Sequence, residues 1–548
     1  MNVNLLLITL IIFSCIFFNK ISFRFGIPTL FVFILLGMAF GSDGFARISF
    51  DNFALSETVC SVALIYIMFY GGFGTNWKMA RPVARQSILL STAGVFLTAL
   101  FLGLFLYLLI RREFWLCFLT GSALASTDAA SVFSVLRSRK LNLKENTASI
   151  LELESGSNDP MAYMLTLVCL SFLTDEADAG SILRLLTTQL VFGIAIGALC
   201  GLLSYRILKS VSFEVDGFDV IFIAGIALFS YALSAALGGN GYLSTYLTGI
   251  ILGNVKMGGK KNIVHFFDGL TGLMQIAVFF LLGLLATPSL LPGVLMSAVS
   301  VFLFLTLIAR PLAVKLLLLP FRASKGQSRL ISFAGLRGAS SIVFAIMAVQ
   351  TLKSDTRFFH IIFFVVLLSL LVQGSLLPFA ARRFDMIDLS NDVMKTFTDY
   401  SEELPVQFIQ LTLAEDNEWV GKHISELSLP LQFLFLLIVR EDKKLVPKGT
   451  TLLEAGDSLI LCAPAVQTKN AMQLSEIEID KSSEYLHCHI RDINLPRGEI
   501  IFLIRRGNQS IIPNGQTEIL AGDTLMLTRL KEKERSPHSP SRVLTSGQ

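Results

Sequence analysis

Glu154-Ser155-Gly156-Ser157-Asn158-Asp159-Pro160 lies just inside an apolar stretch that runs on through Met161 to Leu173. Two carboxylates among hydroxyl, amide and helix-weakening residues have no ordinary reason to enter a bilayer. A charge at mid-membrane costs about 2.5 kcal/mol or more, and an acid kept there marks a functional position by default.

The surrounding chain supports the membrane reading. Of 548 residues, 53% are hydrophobic and 16% charged, against about 25% charged in soluble domains. The excess is uneven. Residues 1–384 form a series of apolar runs of roughly 16 to 25 residues, the length that crosses a bilayer. Residues 385–548 read as soluble polypeptide. The net charge of +4 does not point to nucleic acid, because much of the basic charge sits in short loops where it sets topology. The seven cysteines are scattered without a CxxC, and Cys15, Cys60, Cys117, Cys169 and Cys200 lie inside apolar runs. They read as small core residues, not disulfides or metal ligands. Residues 3–18 lack the basic start and small-residue cleavage site of a signal peptide and read as a first spanning helix.

Thirteen spans are expected, at about 3–18, 27–41, 57–73, 86–110, 114–136, 147–172, 183–208, 217–237, 240–255, 267–286, 292–319, 328–351 and 358–381. Gly238-Gly239-Asn240-Gly241 is the only break between 217 and 255. One set of alternate loops, with the segment after the last span, holds twenty Lys and Arg residues, including Lys78, Arg81 and Arg85; the other holds six. Positive charge marks the cytoplasm, so the N-terminus is expected outside and the soluble tail inside.

Four polar segments fall within the spans. Ser126-Thr127-Asp128-Ala129-Ala130-Ser131 lies in the fifth, and Glu154 to Pro160 in the sixth. Arg310-Pro311 lies in the eleventh, and Gly335-Leu336-Arg337-Gly338-Ala339-Ser340-Ser341 in the twelfth. On a helix Ser155 and Asp159 share a face, as do Glu154 and Asn158. Pro160 donates no backbone hydrogen bond, which loosens the preceding turn. Ser126, Ser340 and Ser341 taken singly read as interhelical packing residues. Small-residue, polar interruptions in corresponding spans of two halves point to a transporter of inverted repeats with its site at the crossing.

The set Thr127-Asp128, Glu154-Ser155, Asn158-Asp159 and Gly335-Leu336-Arg337-Gly338 resembles the monovalent cation:proton antiporters, specifically the NhaP-type branch. The resemblance implies that Asp159 takes the cation and the proton alternately. It implies Thr127, Asp128 and Ser155 as supporting ligands, with Asn158 positioning Asp159. Glu154 is expected to pair with Arg337 or Arg310, with Arg337 favoured. Many relatives have Pro where this chain has Ala129, so the unwinding must arise elsewhere, at Ser126 and Ser131. Asn158 stands where an electrogenic branch has Asp, which implies one titrating carboxylate and electroneutral exchange. No cofactor is implied. A homodimer in a bacterial inner membrane is.

A physical mechanism stands beside the resemblance. A carboxylate in a narrow aqueous funnel is held between desolvation and nearby cations, so a proton and an alkali ion compete for it. If the site moves only when one of them neutralises the charge, the two fluxes are coupled.

The tail repeats itself at 66 residues. Leu437-Ile438-Val439-Arg440 aligns with Leu503-Ile504-Arg505-Arg506, and Ala455-Gly456-Asp457 with Ala521-Gly522-Asp523. Each copy offers alternating strands and an Ala-Gly-Asp turn, the pattern of a small α+β module. Residues 402–464 resemble a TrkA-C regulatory domain, residues 470–530 a diverged copy, and 531–548 read as a disordered tail. Such domains imply a small-molecule or nucleotide ligand. NAD is not expected, because no GxGxxG follows a strand. The tail favours K⁺ over Na⁺ as the exchanged ion.

A channel would not need a titratable Asp beside a buried Arg, and no TVGYG-like filter occurs. A symporter of a small organic solute would line a larger pocket with aromatic or amide groups. An enzyme would require a nucleophile–base set, and neither HExxH nor GxSxG is present. The chain therefore reads as an α-helical polytopic antiporter with an α+β cytoplasmic tail.

Overall fold

A computed structural model describes residues 2–388 and 406–530 apart from short stretches, the longest being 211–216, 428–433, 465–471 and 494–498. The expected disordered tail, 531–548, lies outside the described residues. The chain divides into two compact units, Met1–Ser401 and Glu402–Gln548.

The first unit is helical. Its elements are α1 (Asn2–Phe25), α2 (Thr29–Phe40), α3 (Phe53–Gly74), α4 (Ala84–Ile110), α5 (Phe114–Ala125), α6 (Ala129–Ser138) and α7 (Thr147–Leu173). They continue with α8 (Ala179–Ser210), α9 (Phe218–Ala236), α10 (Gly241–Asn254), α11 (Lys260–Leu285) and α12 (Pro288–Phe321). The last are α13 (Lys325–Phe333), α14 (Ala339–Leu352) and α15 (Arg357–Arg383). A helix stands at each expected span, and the fifth and twelfth are each split in two, at 126–128 and 334–338. Among the described residues, eight helical stretches are long and apolar enough to cross a bilayer, and three apolar helices are shorter. Helix α11 begins at Lys260, before its apolar run, because polar turns continue its hydrogen bonding outward.

Helices α1–α3 and α8–α11 pack mainly with one another, and α4–α7 with α12–α15. Close approach within each group depends on small residues. A Cβ on Gly37 of α2 would sit 2.2 Å from the Phe280 carbonyl oxygen of α11, and one on Gly253 of α10 would sit 2.0 Å from that of Phe73 in α3. Backbones meet this closely in membranes because packing, not hydrophobic exclusion, holds the helices together. A short antiparallel pair, β1 (Asn142–Leu143) with β2 (Ile387–Asp388), ties the segment after α6 to the end of α15.

The second unit holds two four-stranded sheets. The first contains β3 (Val406–Thr412), β4 (Leu434–Arg440), β5 (Lys443–Leu445) and β6 (Ser458–Pro464), in the order β3-β6-β4-β5. The second contains β7 (Met472–Glu478), β8 (Glu499–Arg506), β9 (Gln509–Ile511) and β10 (Asp523–Leu530), in the order β7-β10-β8-β9. The two orders are the same when the strands are counted within each copy. Leu413, Ile438, Leu453 and Leu459 fill the first core, and Ile479, Ile504, Ile519 and Leu525 occupy the aligned positions of the second.

Candidate functional site

The two breaks cross. The Asp128 N–H donates to the Leu336 carbonyl at 2.8 Å, a single backbone bond joining the two interrupted segments. Ser155 of α7 braces the first break: its hydroxyl donates to the Thr127 carbonyl (2.8 Å) and accepts the Ala129 N–H (2.7 Å). The Asn158 amide donates to the Thr127 hydroxyl at 2.5 Å. Helix α6 restarts without a proline because Asp128 caps it. One carboxylate oxygen accepts the Ala130 N–H (3.0 Å) and the other the Ser131 hydroxyl (2.6 Å), a normal role for Asp at a helix start. Of the two serines expected to support the break, Ser131 bonds the capping Asp128, whereas Ser126 turns to Asp159 and Ser155 takes its place on the backbone of the break.

Asp159 lies at the crossing, 8% exposed. The Ser126 hydroxyl donates to it, and the Ser340 hydroxyl, in the first turn of α14, is 2.7 Å from that of Ser126. A cavity of about 610 Å³ opens onto Asp159, Asp128, Thr127, Ser155, Gly156 and Ser340. It also borders Asn19, Tyr70, Glu152 and Asp268, residues from the end of the bundle where the basic loops lie. The carboxylates of Asp159 and Asp128 and the hydroxyls of Thr127, Ser155 and Ser340 are among the groups that line the cavity, and oxygen ligands suit a hard monovalent cation.

Two residues stand differently from expectation. Glu154 pairs with Arg310, not with the favoured Arg337, and the two side chains are 1% and 2% exposed. Arg310 follows a π turn at Leu305–Ala309, just before Pro311, and its guanidinium reaches the Glu154 side of α7. Arg337 instead donates through Nη1 to the carbonyls of Ala125 and Ser126, both at 2.8 Å. It caps the C-terminal end of α5, where helix carbonyls lack partners. Thr127, Asp128, Ser155, Asn158 and Asp159 are brought together as expected, while Ser126 and Ser340 join Asp159 directly. Their signal was present: each borders a break, where a hydroxyl is freed from bonding within its own helix.

A buried carboxylate at the crossing of two broken helices, open to a cavity from one end, defines a secondary transporter of alkali cations. The chain belongs to the sodium/hydrogen exchanger family: residues 7–383 match "Sodium/hydrogen exchanger, transmembrane", and 408–472 and 474–528 each match the TrkA-C domain. It is a cation:proton antiporter and not an enzyme. A protein of Shewanella sp. (strain MR-4) named K(+)/H(+) antiporter NhaP2 is 36% identical over 471 residues, covering 84% of this chain and 80% of that protein. The K(+)/H(+) antiporter NhaP of Alkalimonas amylolytica is 32% identical over 470 residues, covering 85% and 82%. Among solved structures, the sodium proton antiporter MjNhaP1 of Methanocaldococcus jannaschii shares the fold. Its TM-score is 0.62 at 23% identity, over 69% of this chain and 97% of that one.

Proposed function

We propose that Asp159 is the carrier: it binds a monovalent cation and a proton in turn, and the protein exchanges K⁺ for H⁺ electroneutrally. The observation that carries this reading is the position of Asp159, a buried carboxylate at the base of the cavity with the Ser126 hydroxyl on it. Ser155 and Thr127 supply further oxygen nearby, Asn158 holds Thr127, and Asp128 shapes the break by capping α6. A bare carboxylate is too costly to carry across an apolar barrier, whereas one neutralised by either ion is not. That difference couples the fluxes. Asn158 contributes no second charge, so one cation replaces one proton.

Potassium is favoured because the relatives at 32–36% identity are named K(+)/H(+) antiporters. The charge of the loops favours an N-terminus outside and a tail in the cytoplasm, and the protein is proposed to work as a homodimer in the inner membrane. The cavity, on the basic-loop side, then opens inward. The TrkA-C modules regulate exchange through a small-molecule or nucleotide ligand.

The deciding experiment is exchange by Asp159→Asn in proteoliposomes. Abolished exchange in a folded protein is expected, and undiminished exchange overturns the assignment. Parallel assays with K⁺, Na⁺, Li⁺ and Rb⁺ at several pH values test the choice of ion. Truncation near residue 390 is expected to retain exchange with altered regulation.

A further inference from the structure

We propose that Ser369 and Gln373 are positioning residues for the ion site, acting through Arg337 and Ser126 on Asp159. Neither residue borders the cavity, and both are buried, at 0% and 3% exposure. They are the first and last residues of a π turn, Ser369–Gln373, inside α15. Such one-residue widenings of a helix recur at functional positions.

Their hydrogen bonds clamp the second break near both its ends. The Gln373 amide donates to the carbonyl of Phe333, the last residue of α13, at 3.2 Å. Its Oε1 accepts the Ser369 hydroxyl at 2.6 Å. The Ser369 oxygen accepts the Arg337 N–H at 3.1 Å, inside the break near its α14 end. Arg337 then holds the Ala125 and Ser126 carbonyls, and the Ser126 hydroxyl reaches Asp159. One chain of hydrogen bonds therefore runs from the second break, through the first, to the carboxylate.

The arrangement departs from the local bonding of several buried hydroxyls in this bundle and is closer to that of Ser230 and Ser244, which bond across helices. Thr98, Ser122, Thr166 and Thr271 each donate to the carbonyl four residues back in their own helix. That solution is available to any Ser or Thr in a helix and needs no partner. Ser369 donates instead to a side chain, and its oxygen takes a backbone amide from another segment. A buried amide and a hydroxyl spent on a five-residue break fix where Arg337 emerges from α13. They thereby fix the position of the Ser126 hydroxyl and of the first turn of α14, which carries Ser340. Partners that orient a ligand in this manner set ion affinity without touching the ion.

The inference rests on Asp159 being the carrier, and the experiment separates the two. Full-length Ser369→Ala, Ser369→Thr, Gln373→Leu and Asp159→Asn are compared in proteoliposomes for half-saturating K⁺ concentration, maximal rate and pH profile. Ser369→Ala is expected to raise the half-saturating K⁺ concentration by about tenfold and to move the pH profile to the alkaline side. The reason is that a carboxylate with a weakened hydrogen-bond donor yields more readily to protons. The maximal rate at saturating K⁺ is expected to stay near that of the unaltered protein, and Ser369→Thr, which keeps the hydroxyl, to restore affinity. Gln373→Leu is expected to act in the same direction and decides the matter if Ser369→Ala does not fold. Unaltered affinity and pH profile in both variants overturn the inference, as does a fall in maximal rate with affinity intact, the result of a merely structural role. Retained exchange in Asp159→Asn overturns the carrier assignment itself. Lost exchange there with unaltered affinity in Ser369→Ala overturns only the positioning role.

Discussion

Arg310 and Glu154 form an ion pair from which solvent is almost wholly excluded. Among the described residues, one oxygen of Glu154 and the Arg310 Nε have no hydrogen-bond partner. Removing one member leaves the other charge buried and unpaired, which costs about 3–5 kcal/mol, while replacing both by apolar residues is often close to neutral. Glu154→Leu and Arg310→Met should each lower the unfolding temperature of the detergent-solubilised protein sharply. Glu154→Leu with Arg310→Met should recover most of the loss. A double-mutant cycle on thermal unfolding measures the coupling.

The second break also depends on a close approach. A Cβ on Gly338 would lie 2.5 Å from the Asp128 Cβ and 2.9 Å from Oδ2. Asp128 cannot yield, because its carboxylate caps α6 and its N–H is bound to Leu336. A Cβ on Gly335 would lie 3.1 Å from its nearest neighbour, the Arg310 Nε, a milder approach than the one at Gly338. Gly338→Ala should therefore cost about 1–3 kcal/mol as overpacking and remove most exchange, and Gly335→Ala should cost less of both. Exchange rates at saturating cation, with unfolding temperatures, test the order.

On the side of Asp159 away from the cavity, contacts join the two helix groups. Tyr163 of α7 meets Tyr242 of α10 edge-on at 5.1 Å between ring centroids, and Tyr242 meets Tyr231 of α9 at 5.0 Å. The Asn240 amide donates to the Pro160 carbonyl at 2.9 Å. If the site is to open at that end, the Tyr163–Tyr242 and Asn240–Pro160 contacts between the groups must part, while Tyr242 and Tyr231 belong to one group. Loss of the Asn240 bond is worth about 1 kcal/mol, which shifts a two-state population by roughly fivefold. Phe344 of α14 is buried, its ring centroid 6.0 Å from that of Tyr163 and 6.5 Å from that of Tyr242. Labelling of Phe344→Cys by an impermeant thiol reagent, applied at the end opposite the cavity, should therefore rise severalfold when Asn240→Ala is added.

What could be read in the chain follows from how local each signal is. The two breaks are composed of residues that weaken a helix wherever they occur, so Ser126–Ser131 and Gly335–Ser341 announced themselves. The tail modules were legible because a repeat at 66 residues needs only the chain compared with itself. The partner of Glu154 was not. Arg310 and Arg337 are equally anomalous in an apolar run, and the choice between them is made by the tertiary fold, which turns Arg337 to the end of α5 and leaves Arg310 facing Glu154. Ser369 and Gln373 carried no signal either, since one hydroxyl and one amide in a long apolar helix look like packing until the break opposite them is seen.

The repeat in the tail also fixes a test in acid. The Arg440 guanidinium forks onto Asp457 through Nε and Nη2, both at 2.7 Å, and Arg506 forks onto Asp523 in the same way, both at 2.8 Å. In each copy the Arg also donates to a carbonyl at 2.8 Å, that of Leu452 or Glu518. Both carboxylates have no exposed surface. The hydrogen bond from Arg506, with help from the Leu520 N–H, holds the Asp523 carboxyl below the usual range. A group bound more tightly as the anion in the folded state stabilises fully above its unfolded value of about 3.9 and loses that contribution as pH falls through the folded value. In that window the unfolded chain binds more protons, so stability falls with acidification. Protection of the β8 and β10 amides against hydrogen exchange should therefore decline below about pH 4. Asp523→Asn should weaken protection already at neutral pH and show a shallower decline in acid, because the group that titrates has been removed. Arg506→Lys, which keeps the charge but not the fork, should fall between the two. Equal pH profiles for the unaltered chain and Asp523→Asn would show that the fork does not hold the second module together.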